Sequence, residues 1–256
     1  MGVFKIDVEN MEWICGVADD PKDLCLHGHV RVQFGDTILE DHGTVSATAL
    51  YLLKTLSEDK IMAPYDIQMI PCCGHFLIAN NELSEVQISG CDTGTDWSTI
   101  HEGNAVRFVL PSGQEEVVTL RDYQYEVLDF AKSVKRFYDA CAPKEIPEDE
   151  FERNGYTAFW NEWQRRYNDG LMLLSLETGR EMELSHGGLH YFVSHKDGEW
   201  SLYCEVSHKD GEWSLYCEES KQVQIFPGWY ALYEYARFGD KLLRDEIAGI
   251  CFDTIL

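Results

Sequence analysis

The sequence predicts an α+β protein with largely antiparallel sheets and about four to five helices packed on them. Three observations predict it. Strand-like alternation and helical stripes each come in runs instead of alternating one by one along the chain. The strand-like segments are short and separated by Gly, Asn and Asp, which suits hairpins better than crossovers. Hydrophobic residues make up 45% and aromatics 12% of the 256 residues, enough to bury a real core.

The first clear element is LCLHGHVRVQF, residues 24–34. Leu24, Leu26, Val30, Val32 and Phe34 point one way, and Cys25, His27, His29, Arg31 and Gln33 the other. That period of two is a half-buried strand. In TVSATALYLLKTL, Val45, Ala49, Leu52, Leu53 and Leu56 make one helical stripe, with Thr44 placed to cap it. From about Asp66 to Leu120 the chain reads as short strands and turns. AVRFVLPSGQEEVVTL is its clearest hairpin, turning at Pro-Ser-Gly.

Two helices follow. Thr119 and Asp122 are spaced as a capping pair ahead of the stripe Tyr123, Val127, Phe130, Val134 and Phe137. The second helix begins near Pro147 with acids in its first turn and carries Tyr156, Trp160, Trp163 and Tyr167 on one stripe, expected to pack on the sheet. Gly170 is the expected stop, with LMLLSLE as the next strand. Strands GLHYFVSH and KQVQIF come next, then a helix in WYALYEYARF and a short one near KLLRDEIAGI. The expected division is residues 1–170, a main α+β domain, and residues 171–256, a β-meander with helices or a subdomain of the same core.

Within the second part the thirteen residues VSHKDGEWSLYCE occur twice in tandem, at 193–205 and 206–218, without a single difference. Solenoids need at least about three diverged units at longer periods, so the repeat predicts an added hairpin in a meander and not a repeat architecture. Each copy centres on a Lys-Asp-Gly turn.

Charge is the strongest compositional signal, with 45 acids against 21 bases and a formal net charge of −24. Residues 1–128 hold 21 acids and only 7 bases. Such a field repels nucleic acid and anionic membrane and speeds encounter with a basic protein, which is the expected partner. The expected contact residues are Asp19, Asp20, Asp23, Asp36, Glu40 and Asp41. The apolar runs are too short to cross a bilayer, and MGVFKIDVEN has no signal-peptide core, so a cytoplasmic protein is expected. The nine scattered cysteines suit reduced, buried thiols better than a disulfide framework.

Catalytic templates are missing. No nucleophile elbow, phosphate-binding loop, dinucleotide fingerprint, His-Glu-x-x-His or EF-hand loop is present, and no cofactor is expected. GCDTG at 90–94 has Cys91 in the wrong slot for an elbow, whose Ser position falls on Asp92, and its acids read as turn chemistry. Two Cys/His groups carry the alternative reading, an enzyme of unfamiliar type with or without zinc. They are Cys72, Cys73 and His75 in PCCGH, and Cys25, His27 and His29 on one strand face. The favoured reading is a non-enzymatic acidic protein of inhibitor or immunity type that neutralises a basic toxin or nuclease.

Overall fold

The computed structural model describes residues 2–14, 17, 19–64, 66–72, 76–90, 92–195 and 213–256. The fold is α+β, with helices and several antiparallel sheets. The chain divides into two compact units, Met1–Tyr167 and Asn168–Leu256.

The first unit is built on two three-stranded antiparallel sheets. One pairs Phe4–Glu12, His27–Phe34 and Thr37–Thr44 in chain order, and the other pairs Ser98–Glu102, Ala105–Val109 and Glu115–Thr119. Their apolar faces supply an aromatic core. Phe4 stacks on Phe108 at 5.0 Å, and Phe34 meets Phe108 and Trp97 edge-on at 5.0 and 5.3 Å. Leu26, Val30, Val32 and Phe34 are all buried, as the period of two requires.

Helix α1, Val45–Lys54, differs from its expected single stripe: every residue from Val45 to Leu53 is buried. The sequence VSATALYLL permits this because its polar members are small, and the Thr48 hydroxyl donates to the Thr44 carbonyl. Thr44 stands at the N-cap with extended backbone, but its side chain makes no cap bond. Helix α2, Leu120–Ala140, is capped as expected, with Asp122 N–H donating to Thr119 Oγ1 at 3.0 Å.

Helix α3, Glu150–Glu177, corrects the sequence reading twice. It continues through Gly170, and LMLLSLE is helical, with Met172, Leu174 and Leu176 buried. A glycine inside a helix costs only about 1 kcal/mol, and a short apolar run has no period that separates strand from buried helix. The actual stop is Gly179, at φ +72°, where Arg180 N–H reaches back to the Ser175 carbonyl at 2.8 Å. Gly155 has its own reason to be glycine. A Cβ there would lie 2.1 Å from the Leu77 carbonyl oxygen, so the hairpin of Phe76–Ala79 with Val86–Ser89 packs directly on α3 backbone.

The second unit is a five-stranded antiparallel sheet in the order Val223–Phe226, Trp213–Cys217, Leu189–His195, Met182–His186, Cys251–Ile255. Met182–His186 and the edge strand Cys251–Ile255 were not foreseen from the sequence. The end of α3, helix α4 (Trp229–Tyr235) and a 3₁₀ turn at Leu243–Gly249 contribute to its core through Met172, Leu176, Leu232, Leu243 and Ile247. Asn168 Nδ2 donates to the carbonyls of Ile247 and Ile250 at 2.9 and 2.8 Å. The interior of the tandem repeat, residues 196–212, lies outside the described residues.

Candidate functional site

Three of the six expected contact carboxylates are gathered at one place in the first unit by a chain of backbone bonds. Trp13 is fully buried between Phe137 and Tyr138, at 5.8 and 5.2 Å between ring centroids. Tyr138 donates its hydroxyl to the Leu24 carbonyl at 2.8 Å and accepts from Leu26 N–H. Backbone groups of Ile14, Lys22, Cys25 and Ala142 are held by aspartates of residues 19–23. Asp23 accepts from Ile14 N–H at 2.6 Å with one oxygen and from Cys25 N–H at 2.9 Å with the other. Asp20 accepts from Lys22 N–H, and Asp19 accepts from Ala142 N–H at 2.7 Å.

That last bond docks residues 19–23 on the α2–α3 connection. Glu145 N–H donates to the Pro21 carbonyl at 2.8 Å, and Lys144 Nζ to the Asp20 carbonyl at 2.7 Å. Lys144 also lies 2.9 Å above the Trp13 ring, a cation–π contact. Burial pushes the Lys144 ammonium below the usual lysine range, against the opposing pull of Cys141 and the three aspartates.

The connection leads into the acidic start of α3, where Asp149 accepts from Glu152 N–H at 3.0 Å. Glu145, Glu148, Asp149, Glu150 and Glu152 are all exposed there. Large apolar side chains lie among them: Ile146 is 57% exposed, Phe151 49% and Phe76 68%. A shallow cavity of about 260 Å³ is lined by Lys22, Leu24, Cys25, Phe76, Phe151 and Glu152, so the aspartate segment and the helix start share one surface. Beside it a cleft of about 350 Å³ runs along Tyr138, Tyr156 and Trp160, with Asp139 and Lys144 at its edge.

The other three expected carboxylates are elsewhere. Asp36 is exposed in the turn between His27–Phe34 and Thr37–Thr44, the far end of an eight-residue strand, about 25 Å long, from Asp23. Glu40 stands opposite Arg31, which stands opposite Asp7. Asp41 is half-buried and accepts from Thr95 Oγ1 at 3.0 Å.

The Cys/His groups do not assemble a reactive centre among the described residues. Burial, and secondarily Asp23, pushes the Cys25 thiol up to about 12, the reverse of what a nucleophile or a ready metal ligand needs. His27 is buried, with Nδ1 2.9 Å from the Cys25 carbonyl, while His29 is half-buried opposite His42. Cys72 Sγ lies 2.8 Å from Thr93 Oγ1. Cys73, His75 and Cys91 lie outside the described residues. Among the described residues no group of three or more His, Cys, Asp or Glu is disposed to hold a metal ion. The expected turn contains a short strand, Gly94–Thr95, paired with Ile70–Pro71, and Asp96 beside it pairs with Lys60 and accepts from Met69 N–H at 3.1 Å.

One charged residue escaped sequence reasoning altogether. Glu162 is almost fully buried on α3, accepting from Val86 N–H at 2.8 Å and pairing with Lys54 at 3.1 Å and Arg166 at 3.6 Å. Only its i, i+4 relation to Arg166 was visible in the sequence. Comparison of the chain with protein-family models, with curated proteins and with solved structures found no match.

Proposed function

We propose that the protein is a non-catalytic acidic binding protein, of inhibitor or immunity type, that captures a basic protein on the surface formed by residues 19–23 and 145–152. One observation carries this reading. Carboxylates from two distant stretches of sequence share a surface with exposed Phe76, Ile146 and Phe151. Solubility alone asks for dispersed charge without large apolar side chains, whereas apolar anchors within a charged rim are the anatomy of an interface. The aspartates are fixed by backbone donors, so the acidic surface is preorganised and little ordering entropy is lost on binding.

Zero-length carboxyl-to-amine cross-linking in a lysate of the source cells, with mapping of the joined residues, tests the reading. The expected result is a basic protein joined through Glu145, Glu148, Glu150 or Glu152, with the yield falling as salt rises. Cross-links that fall mainly on Asp36 and Glu40, or that are indifferent to both salt and Phe151→Ser, would refute it.

A further inference from the structure

A cavity of about 240 Å³ in the first unit shares no residue with the surface of residues 19–23 and 145–152. Its buried wall is Tyr51 of α1 with Pro71 and Ile88. Its other walls carry Asp66, Gln68, Gln87, Ser89 and Asp92, all exposed or half-buried. Among the described residues no Lys or Arg lines it.

The fold leaves the polar groups of this cavity largely unspent. Tyr51 is only 7% exposed, yet its hydroxyl has no hydrogen-bond partner among the described residues, and buried hydroxyls are ordinarily bonded. Burial, and secondarily the Asp66 carboxylate, pushes the Tyr51 pKa up, so the group stays a neutral hydroxyl beside that charge. Gln68 donates its side-chain N–H to the Asp66 carbonyl at 2.7 Å, which leaves its amide oxygen as an acceptor. One Asp66 oxygen accepts from Ile67 N–H at 2.7 Å, while the Asp92 carboxylate forms no hydrogen bond or ion pair among the described residues.

The frame around these groups is fixed. Ile70–Pro71 pairs with Gly94–Thr95, and a Cβ on Gly94 would lie 2.3 Å from the Ile70 carbonyl oxygen. A Cβ on Gly43 would lie 2.5 Å from the Pro71 carbonyl oxygen, so bare backbone packs against that strand at two points. Lys54 Nζ donates to the Val86 carbonyl at 3.1 Å and ties the strand of Ile88 to the end of α1. The cavity is therefore formed before any ligand arrives.

We propose that this cavity binds a guanidinium group. Two carboxylates, an amide oxygen and a buried hydroxyl make a lining rich in acceptors with no cation in it, so the ligand brings donors and positive charge. A guanidinium carries five N–H donors and no acceptor. Its weakly hydrated plane suits the Tyr51 ring, Pro71 and Ile88 better than a strongly hydrated ammonium does. The Tyr51 oxygen accepts one of its N–H groups and the carboxylates of Asp66 and Asp92 accept others, which ends the isolation of the hydroxyl. The adjoining cavity of about 160 Å³, which shares Tyr51, Asp66 and Ile67, is less suited because Lys54 and Lys60 line it. A net charge of −24 adds to the effect by raising the local concentration of cations.

Titration of the full chain with agmatine, followed by calorimetry and amide NMR shifts, tests the proposal, with putrescine as the ammonium counterpart of equal charge. Agmatine should saturate one site with shifts at Gln68, Gln87 and Ser89, and putrescine should bind at least about tenfold more weakly. Tyr51→Phe keeps the ring and removes the oxygen, and Asp92→Asn removes an exposed charge, so neither puts the fold at stake. Each should weaken agmatine binding about tenfold. Asp36→Asn combined with Glu40→Gln removes two charges elsewhere and should change it by less than about twofold. A peptide Gly-Gly-Arg-Gly-Gly that binds more tightly than agmatine assigns the site to a protein's arginine, and the reverse assigns it to a free compound. The proposal is overturned if agmatine does not saturate those shifts, or if putrescine binds as well. It is equally overturned if Tyr51→Phe binds agmatine unchanged, or if the Asp36 and Glu40 pair weakens it as much as Asp92→Asn does.

Discussion

Two charged regions of the first unit use their carboxylates in opposite ways. At Glu162 the charge is buried and matched: Lys54 and Arg166 flank the carboxylate, Val86 N–H binds one oxygen, and Arg166 passes on to Glu58. On the surface of residues 19–23 and 145–152 the carboxylates outnumber the cations Lys22 and Lys144, and none of those carboxylates forms an ion pair among the described residues. Asp19, Asp20, Asp23 and Asp149 satisfy backbone donors, and neither Glu148 nor Glu150 makes an ion pair among the described residues. A carboxylate whose counter-charges are supplied internally serves the fold. A group of them in excess of its local cations is suited to a partner that brings its own.

The largest expected effect lies on the buried side of this contrast. Glu162→Ala leaves Lys54 without its carboxylate and Arg166 with Glu58 alone, frees Val86 N–H, and should destabilise the protein by roughly 3–5 kcal/mol in denaturant unfolding. A loss below about 1 kcal/mol would mean that water readily replaces the carboxylate and that the two regions do not differ in kind.

Next in size is the joint that brings Phe76 beside Phe151. Gly155→Ala improves helix propensity yet drives a methyl into the Leu77 carbonyl. It should cost about 1–3 kcal/mol net and displace the hairpin, which heteronuclear NMR at Leu77 would report. A stabilised variant would show that the close approach is not real.

A smaller effect, of opposite sign, is expected in the second unit. Deleting residues 206–218 joins Glu205 to Glu219, leaving a single WSLYC strand with its usual neighbours on both sides. The chain loses thirteen residues but no side-chain type that the described sheet uses, so hydrogen exchange at Leu189–His195 should indicate stabilisation by about 1 kcal/mol. Loss of protection would show that the second copy supplies structure of its own.

Smallest in free energy is a difference in thiol chemistry. With its pKa pushed up to about 12, Cys25 carries almost no thiolate at pH 8, and its alkylation should lag far behind that of exposed Cys251. The sign follows from the direction of the shift, since raising the pKa lowers the thiolate fraction at any pH beneath it. Rapid alkylation of Cys25 in the folded protein would revive the reading of the Cys25, His27 and His29 group as a reactive centre.

The fold class was legible because it rests on local pattern: within the expected strand 24–34 the alternation holds over His27–Phe34, except that His27 is also buried, and the Thr119 cap and the stripe of α2 appear where their periods place them. Two kinds of information were not local. The continuation of α3 through Gly170 depends on Met172, Leu174 and Leu176 finding a core to enter, and tertiary burial overrides a weak stop signal. The site shows the same limit. Asp19, Asp20 and Asp23 were identifiable as a cluster of acids, but Ala142 and Glu145, which hold that segment, lie more than a hundred residues away. Asp36, Glu40 and Asp41 looked equivalent to them in the sequence and differ only in what surrounds them.

That difference is the central claim, and association kinetics test it most directly. With a basic partner identified by cross-linking, the triple variant Glu148→Gln, Glu150→Gln, Glu152→Gln is compared at low salt with the pair Asp36→Asn, Glu40→Gln. These substitutions leave every backbone bond of Asp19, Asp20, Asp23 and Asp149 in place, so folding is not at stake. The triple variant should associate about tenfold more slowly with a shallower dependence on ionic strength, while the pair stays within about twofold of the parent. Equal slowing by the two sets, or none by the triple variant, would contradict the account and leave the acidity as a device for solubility alone.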